Sequence, residues 1–321
     1  MNSLVGAPTA QQLEDAREVV KRYLRPTPSV VLNIRGRDVF AKLDNLQVTG
    51  AFKVRGALAA LDAVRREDSS IGVITSSAGN HGLGISHASS LLGVRATVVV
   101  PANASPVKVA KIRQYDVELI EFGSSYDEAQ AHARELSEQR GLRFVSPFNN
   151  ANVVAGQATA FDEFLDVFPE VEHVVVSVGG GGWISGVLVS REANNREDIT
   201  ITGVQSENSA AMAQFVRGED PALTVHTPTI ADGLAGGVDP GSITNDIILS
   251  SGIKVLTIAE NSIRNAVREG VENNGLVMEG SSAASYALIA EQLEQDRSKL
   301  GFMVSGRNIA FNLLQEILAE G

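Results

Sequence analysis

Short apolar segments alternate with longer helical segments through the middle of this chain. The apolar segments predict strands at residues 73–75, 96–100, 117–122, 143–146, 174–178 and 199–204, and the segments between them predict helices at 80–92, 107–114, 126–139, 153–167 and 187–193. Strands that alternate with helices are typical of βαβ units and parallel sheets. The unbroken valines at 174–176 suit a strand covered on both faces. We therefore predict the α/β class, with two doubly wound domains and parallel-rich twisted sheets.

The segment before this alternation predicts three further elements, a helix at 9–24, a strand at 39–43 and a helix at 52–66. Thr9 and Gln12 have the spacing of a capping box at the start of the first helix. A length of 321 residues is sufficient for two domains. We predict a small α/β domain at residues 70–147, inserted into a large domain formed by residues 1–69 and 148–321.

Composition excludes several classes of function. The chain has 27 basic and 38 acidic residues, a net charge of −11, which disfavours binding to nucleic acid or to an anionic membrane surface. No apolar run approaches the ~18 residues that a membrane span needs, and the first eight residues do not form a secretory signal. The absence of cysteine excludes disulfides, thiolate metal sites and a cysteine nucleophile. We expect a cytoplasmic protein.

Two of the predicted strand-to-helix junctions are rich in glycine. The first is Ser77-Ala78-Gly79-Asn80-His81-Gly82, and the second contains Gly179, Gly180, Gly181 and Gly182 in succession. Such junctions lie where parallel sheets bind ligands, and the helix N-terminus that follows attracts anions. Glycines let the backbone approach a phosphate closely because no Cβ intervenes. The sequence predicts a phosphate site at residues 179–182 and a smaller anion site at residues 77–81.

The glycine spacing argues against a nucleotide. A dinucleotide fingerprint started at Gly180 would need a third glycine where Ser185 stands, and an acidic residue at the end of the next strand. A Walker loop would need lysine after the last glycine, where Trp183 stands. A compact monophosphate remains the predicted ligand.

Lys53 and Ser305 are candidate active-site residues. Lys53 begins a predicted helix among apolar neighbours, and a lysine removed from water can form a Schiff base. Ser305 closes a predicted strand, at the sheet edge expected for the glycine junctions. Taken alone, each is better explained as a surface lysine or a turn serine.

Together, these segments resemble the motifs of pyridoxal-phosphate enzymes of fold type II, the tryptophan synthase β-like fold. Within that group they are similar to the threonine/serine dehydratases and the serine racemases. The matching segments follow the family order and span most of the chain: Lys42 to Ala57, Ser77 to Gly82, Gly179 to Gly182, Thr229 to Gly237 and Ser305 to Asn308.

The resemblance implies a role for each cofactor-binding residue. Lys53 would hold pyridoxal 5'-phosphate as a Schiff base and act as the general base. Phe52 would pack beside the cofactor ring, and Asn80 would hydrogen-bond its phenolic oxygen. Gly179, Gly180, Gly181 and Gly182 would bind the phosphate. Ser305 would face the pyridine nitrogen, where a serine, unlike a carboxylate, does not stabilise a protonated ring.

The resemblance also implies a substrate and a reaction. Ser77, Asn80, His81 and Gly233 would bind an amino acid, with the backbone N–H of His81 more important than its ring. The reaction would be α,β-elimination from a β-hydroxy amino acid such as threonine or serine, giving a 2-oxo acid and ammonia. Alternatives are a dehydratase for hydroxyaspartate, phenylserine or a substrate of hydroxyectoine breakdown, and an amino-acid racemase. Family likeness further implies a homodimer and, because the chain stops at Gly321, a degradative or specialised role.

Three departures from the family pattern qualify these expectations. Ala51 replaces a serine before the Phe-Lys pair, which leaves the Schiff base possible. Ala78 stands where racemases carry the serine that protonates the opposite face of Cα, so a dehydratase is favoured. Gln205 and Ala211 replace carboxylates that bind a divalent cation in many relatives, although Glu207 is close. We expect no metal site.

Overall fold

The computed structural model describes residues 4–293 and 295–320, which form an α/β structure with two sheets. The strands are β1 Ser29–Ile34, β2 Arg37–Leu43, β3 Val73–Ser76, β4 Ala96–Val100, β5 Glu118–Glu121, β6 Arg143–Phe144, β7 His173–Ser177, β8 Thr200–Ser206, β9 Lys254–Ile258 and β10 Leu300–Val304. The α-helices are α1 Ala10–Tyr23, α2 Lys53–Glu67, α3 Asn80–Leu92, α4 Pro106–Ile112, α5 Tyr126–Arg140, α6 Ala151–Val167, α7 Gly182–Ala193, α8 Ala211–Val216, α9 Ile243–Ser251, α10 Glu260–Asn274, α11 Gly280–Glu291 and α12 Phe311–Ala319.

The larger sheet has six strands in the order β1-β2-β10-β7-β8-β9. Its neighbouring strands are parallel except for β1, which pairs antiparallel with β2. Every residue of β7 and β10 is buried, as expected for central strands that are covered on both faces. The smaller sheet has four parallel strands in the order β5-β4-β3-β6. The predicted α/β class and the parallel-rich sheets are confirmed.

The chain divides into two compact units. The six-stranded unit comprises residues up to 7, residues 26–52 and residues from 160 onward, and the four-stranded unit comprises residues 8–25 and 53–159. These boundaries differ from the predicted domain boundaries because α1 packs on α2 and α2 packs on α3, which places the first two helices in the four-stranded unit. The division into residues 70–147 and the remainder stays a prediction.

Hydrophobic periodicity located the elements between residues 73 and 204 and missed others. Each predicted strand and helix of that region is present, and the capping box of Thr9 with Gln12 is confirmed at the start of α1. Helix α7 begins at Gly182, five residues before the predicted start at 187, within a glycine run that disfavours helix. The sequence pattern does not predict β1, β9 or α8 to α11. Helix α11 is buried on almost every side, so its sequence has no polar face to mark the helical period.

A membrane crossing needs a long, apolar helix, and none of the helices within residues 4–293 and 295–320 meets that requirement.

Candidate active site

The four successive glycines form the turn between β7 and α7 in the six-stranded unit. Gly181 is the N-cap of α7 and has a φ of +86°, in the left-handed region that favours glycine. A Cβ at Gly181 would lie 2.8 Å from Cδ1 of Ile248 and 2.9 Å from Cβ of Thr244. Thr244 also donates a hydrogen bond of 2.8 Å from Oγ1 to the carbonyl oxygen of Gly180. The side of the turn that faces α9 therefore has no room for a side chain.

Ser305 follows β10, the strand beside β7. The parallel register pairs Phe302 with Val175, so the two strands end side by side and Ser305 lies at the same sheet edge as the glycine turn. Ser305 is only 2% exposed, and its Oγ lies 2.8 Å from Oγ of Ser282 in α11. The hydroxyl is thus held inside the protein at the expected edge.

Phe52 is fixed to the same edge by backbone contacts. Its N–H donates to the carbonyl oxygen of Ser305 at 2.9 Å, and Ala51 forms a bridge with Gly306. The ring of Phe52 packs on the indole of Trp183, with 4.0 Å between ring centroids and a tilt of 34°. Trp183 is thereby placed beside the glycine turn, packed in the protein interior.

The predicted substrate residue Gly233 also touches the glycine turn. It lies in a short 3-10 helix over Asp232–Leu234. A Cβ built on Gly179 would lie 2.7 Å from the carbonyl oxygen of Gly233. The six-stranded unit therefore brings together Phe52, Gly233, Ser305 and the glycines at 179–182.

Lys53 lies in the four-stranded unit, as the first residue of α2. Its Nζ donates a hydrogen bond of 3.0 Å to the carbonyl oxygen of Pro147, and the residue is half-buried. Helix α3 packs closely on this position, since a Cβ at Gly84 would lie 3.1 Å from the carbonyl carbon of Lys53 and from the N of Val54. The helix that carries the lysine is thus held at a short distance from α3.

The predicted anion site forms the turn from β3 into α3, also in the four-stranded unit. Its N-cap is Gly79, and no side chain among the described residues caps it. Ser77 Oγ accepts the N–H of Gly79 at 3.2 Å, which closes the turn. A Cβ at Gly82 would overlap the carbonyl oxygen of Ser77. Asn80 is the first residue of α3, so it stands where helix N–H groups lack intrahelical acceptors.

The ring of His81 is buried in this turn and stays neutral. Its Nε2 lies 3.2 Å from the carbonyl oxygen of Val145, so Nε2 carries the proton and donates it. Burial, with a smaller contribution from the charge of Lys53, lowers the pKa of His81 to about 3, although the hydrogen bond to Val145 opposes the shift. The four-stranded unit therefore brings together Lys53, Ser77, Asn80 and His81, with the His81 ring directed to the protein backbone.

The residues at the positions where many relatives bind a cation have structural roles here. The side-chain oxygen of Gln205 accepts the backbone N–H of Ala213 at 2.8 Å, and both Gln205 and Ala211 are buried. In the part of the chain that is described, no cluster of three or more acidic, histidine or cysteine side chains is arranged to hold a metal. The absence of a metal site stays a prediction.

Three residues beside these sites carried no clear sequence signal for such a role. Trp183 follows the glycine run, and a tryptophan at such a position is typical of ordinary core packing. Pro147 contributes only a carbonyl oxygen, which any residue type can supply. Ser282 lies 23 positions before Ser305 in a serine- and alanine-rich helix, where nothing distinguishes it from Ser281 and Ser285.

Comparisons with known proteins identify the family of the chain. The family model described as pyridoxal-phosphate dependent enzyme matches residues 20–306. An L-threonine ammonia-lyase of Thermotoga maritima is 34% identical, over 98% of this chain and 79% of the relative. A serine racemase of Dictyostelium discoideum is 31% identical, over 97% of this chain and 98% of the relative. The structure of maize serine racemase superposes with a TM-score of 0.89 at 28% identity and covers 98% of both chains. The chain therefore belongs to the pyridoxal-phosphate-dependent enzyme family, as its motifs predicted.

Proposed function

We propose that the protein is a pyridoxal-phosphate-dependent ammonia-lyase that acts on a β-hydroxy amino acid such as threonine or serine. The products are a 2-oxo acid and ammonia, formed by loss of the Cα proton and the β-hydroxyl group. The name of the Thermotoga relative supports this reaction. The single observation that favours it over racemisation is the residue at position 78.

The residues of the six-stranded unit fit the cofactor. When bound, pyridoxal phosphate supplies an electron sink that makes the Cα proton of an amino acid acidic. The glycine turn at 179–182 offers a phosphate backbone N–H groups at a helix N-terminus, and its glycine character is required by the contacts of Gly181. Phe52 offers the ring an aromatic face, and Ser305 offers the ring nitrogen a neutral hydroxyl. This arrangement is what a phosphate and a neutral pyridine require.

Lys53 has the properties of the amine that binds the cofactor aldehyde and later takes the Cα proton. A lysine base must be deprotonated for part of each turnover. Its Nζ donates a hydrogen bond of 3.0 Å to a neutral carbonyl, that of Pro147. We propose that Lys53 supplies both functions.

The start of α3 suits the substrate carboxylate. Asn80 and His81 present backbone N–H groups of the first helical turn, the N-cap residue Gly79 has no side chain, and the dipole of α3 favours an anion there. The His81 ring donates to Val145, so its backbone rather than its imidazole is proposed to bind. Ser77 and Gly233 are proposed as further substrate contacts.

Ala78 separates the lyase from the racemase. A racemase must deliver a proton to the face of Cα opposite its lysine, which requires an acid at a suitable position. The methyl group of Ala78 has no proton to exchange, so the chain has no such acid at this position. A serine-racemase activity is the second candidate because relatives of that name match nearly the whole chain. Lyase action on hydroxyaspartate, phenylserine or a hydroxyectoine-derived substrate, a cytoplasmic location and a homodimer remain predictions.

The test is a panel of L-β-hydroxy amino acids assayed for ammonia, 2-oxo acid and D-amino acid. We expect ammonia and 2-oxo acid in equal amounts, with D-amino acid only after an Ala78→Ser substitution. Lys53→Ala should abolish turnover and borohydride trapping of the cofactor, while the exposed control Lys254→Ala should change neither. D-amino acid without ammonia from the unmodified enzyme would refute the lyase proposal.

A further inference from the structure

A buried hydroxyl chain lies behind Ser305. Ser282, on α11, is fully buried, and its Oγ contacts three atoms. It accepts the N–H of Gly306 at 2.7 Å, it lies 2.9 Å from the carbonyl oxygen of Gly306, and it lies 2.8 Å from Oγ of Ser305. The hydroxyl of Ser305 is therefore tied to a second hydroxyl whose other partners are backbone atoms.

A count of protons leaves two arrangements of this chain. A serine hydroxyl has one proton to donate and can accept two. If Ser282 donates to the carbonyl of Gly306, Ser305 must donate to Ser282 and presents only lone pairs to the cofactor side. If Ser282 donates to Ser305, the proton of Ser305 is free to donate to a cofactor nitrogen. The Gly306 carbonyl still accepts the N–H of Glu279 at 3.0 Å in this second arrangement, so it is not left unpaired.

We propose that Ser282 is a positioning residue that makes Ser305 a hydrogen-bond donor to the ring nitrogen of pyridoxal phosphate. The donors then run in one direction, from the Gly306 N–H through Ser282 and Ser305 to the ring. Hydrogen bonds in such a chain polarise one another, so the donation from Ser305 is stronger than that of an isolated serine. A ring nitrogen that accepts a hydrogen bond from a serine hydroxyl is itself not protonated. The inference rests on the proposed placement of Ser305 at the ring nitrogen.

The test is a double-mutant cycle on the holoenzyme with Ser282→Ala and Ser305→Ala. The readouts are the cofactor dissociation constant and the ¹⁵N chemical shift of ring-labelled pyridoxal phosphate. Ser282→Ala should raise the dissociation constant about three- to tenfold when Ser305 is present, within the range for groups that share a hydrogen-bond network. It should have a markedly smaller effect in the Ser305→Ala background. Ser282→Ala removes the acceptor of the Gly306 N–H in both backgrounds, so the cost of losing that hydrogen bond cancels in the cycle.

Ser285 is the matched control, because it is fully buried on the same helix and its Oγ has no hydrogen-bond partner within the described residues. Ser285→Ala should show no coupling to Ser305→Ala. We expect an unprotonated ring-nitrogen signal in the unmodified enzyme, shifted toward that of a ring without a hydrogen bond by Ser282→Ala.

Equal effects of Ser282→Ala in both backgrounds, or a protonated ring nitrogen in the unmodified enzyme, would overturn the inference. If Ser305→Ala alone leaves the affinity and the ¹⁵N shift unchanged, the placement of Ser305 at the ring nitrogen fails, and the inference fails with it. These patterns differ, so the two failures are distinguishable.

Discussion

The buried, neutral ring of His81 should make the folded enzyme less stable as the pH falls from 7.5 to 5.0. Burial lowers the pKa of this ring from 6.5 to about 3. In the unfolded chain the ring takes up a proton as the pH falls through 6.5, whereas in the folded chain it remains unprotonated down to about pH 3. The unfolded state therefore binds more protons in this interval, and the free energy of unfolding decreases with falling pH.

The size of the effect follows from the distance between the assay pH and the unfolded pKa. At pH 5.0 the unfolded ring lies about 1.5 units below its own pKa, and each unit corresponds to ~1.36 kcal/mol. His81 alone should therefore lower the free energy of unfolding by about 2 kcal/mol between pH 7.5 and pH 5.0. At pH 7.5 its contribution is close to zero.

The assay compares the unmodified enzyme with His81→Gln by urea unfolding at both pH values, followed by circular dichroism. Glutamine keeps an amide donor for the carbonyl of Val145 but does not titrate. The difference in unfolding free energy between the two proteins should change by about 2 kcal/mol from pH 7.5 to pH 5.0. His87→Gln is the control, because that half-buried ring has a pKa lowered by burial and should give a smaller change of the same sign. Side-chain ¹⁵N spectra should show His81 protonated on Nε2 alone at both pH values.

A difference that stays constant between the two pH values would refute this account, as would a ring of His81 that titrates near pH 6.5. Either result would mean that water or an acid reaches Nδ1 in the folded protein.

Three further perturbations test other contacts. Gly181→Ala should weaken cofactor binding about tenfold or more. A residue with a Cβ costs ~1–2 kcal/mol in a left-handed backbone, and the clashes of that Cβ add to this cost. The control Gly237→Ala, which has open space around it, should not weaken binding, and absorbance titration of the apoenzyme measures both variants. Lys42→Met should lower the free energy of urea unfolding by about 3–5 kcal/mol, because it removes the cation 2.7 Å from Glu163 in a buried network. Gly84→Ala should reduce kcat, measured with saturating substrate, by pushing α3 against the backbone of Lys53.

The parts of the fold that periodicity predicted are those in which burial differs between faces or is complete along a short strand. The all-valine core of β7 and the amphipathic helix α1 are of this kind. Helix α11 was missed because its small residues are buried all round, and β1 because it is an edge strand with no fully buried run. The boundaries of the two units could not be predicted from the sequence either, because they depend on the packing of α2 against α3.

In the candidate site too, some residues could be predicted from the sequence and others could not. Glycine at 179, 181 and 82 could be recognised because close contacts there, and a left-handed backbone at Gly181, leave no room for a side chain, and such constraints leave a visible sequence pattern. The hydroxyl of Ser282 and the carbonyl of Pro147 could not be recognised. Their roles come from tertiary contacts with residues that are 23 and 94 positions distant, and neither contact requires an unusual residue type.

The chain contains a single tryptophan, and it packs on Phe52 beside the glycine turn. All of its indole fluorescence therefore arises at one place, next to the proposed phosphate site. Bound pyridoxal phosphate absorbs light in the region where indole emits, so energy transfer from Trp183 to the cofactor would quench that emission. The protein thus contains its own optical reporter of cofactor occupancy, which makes loading and release measurable in real time without any added label.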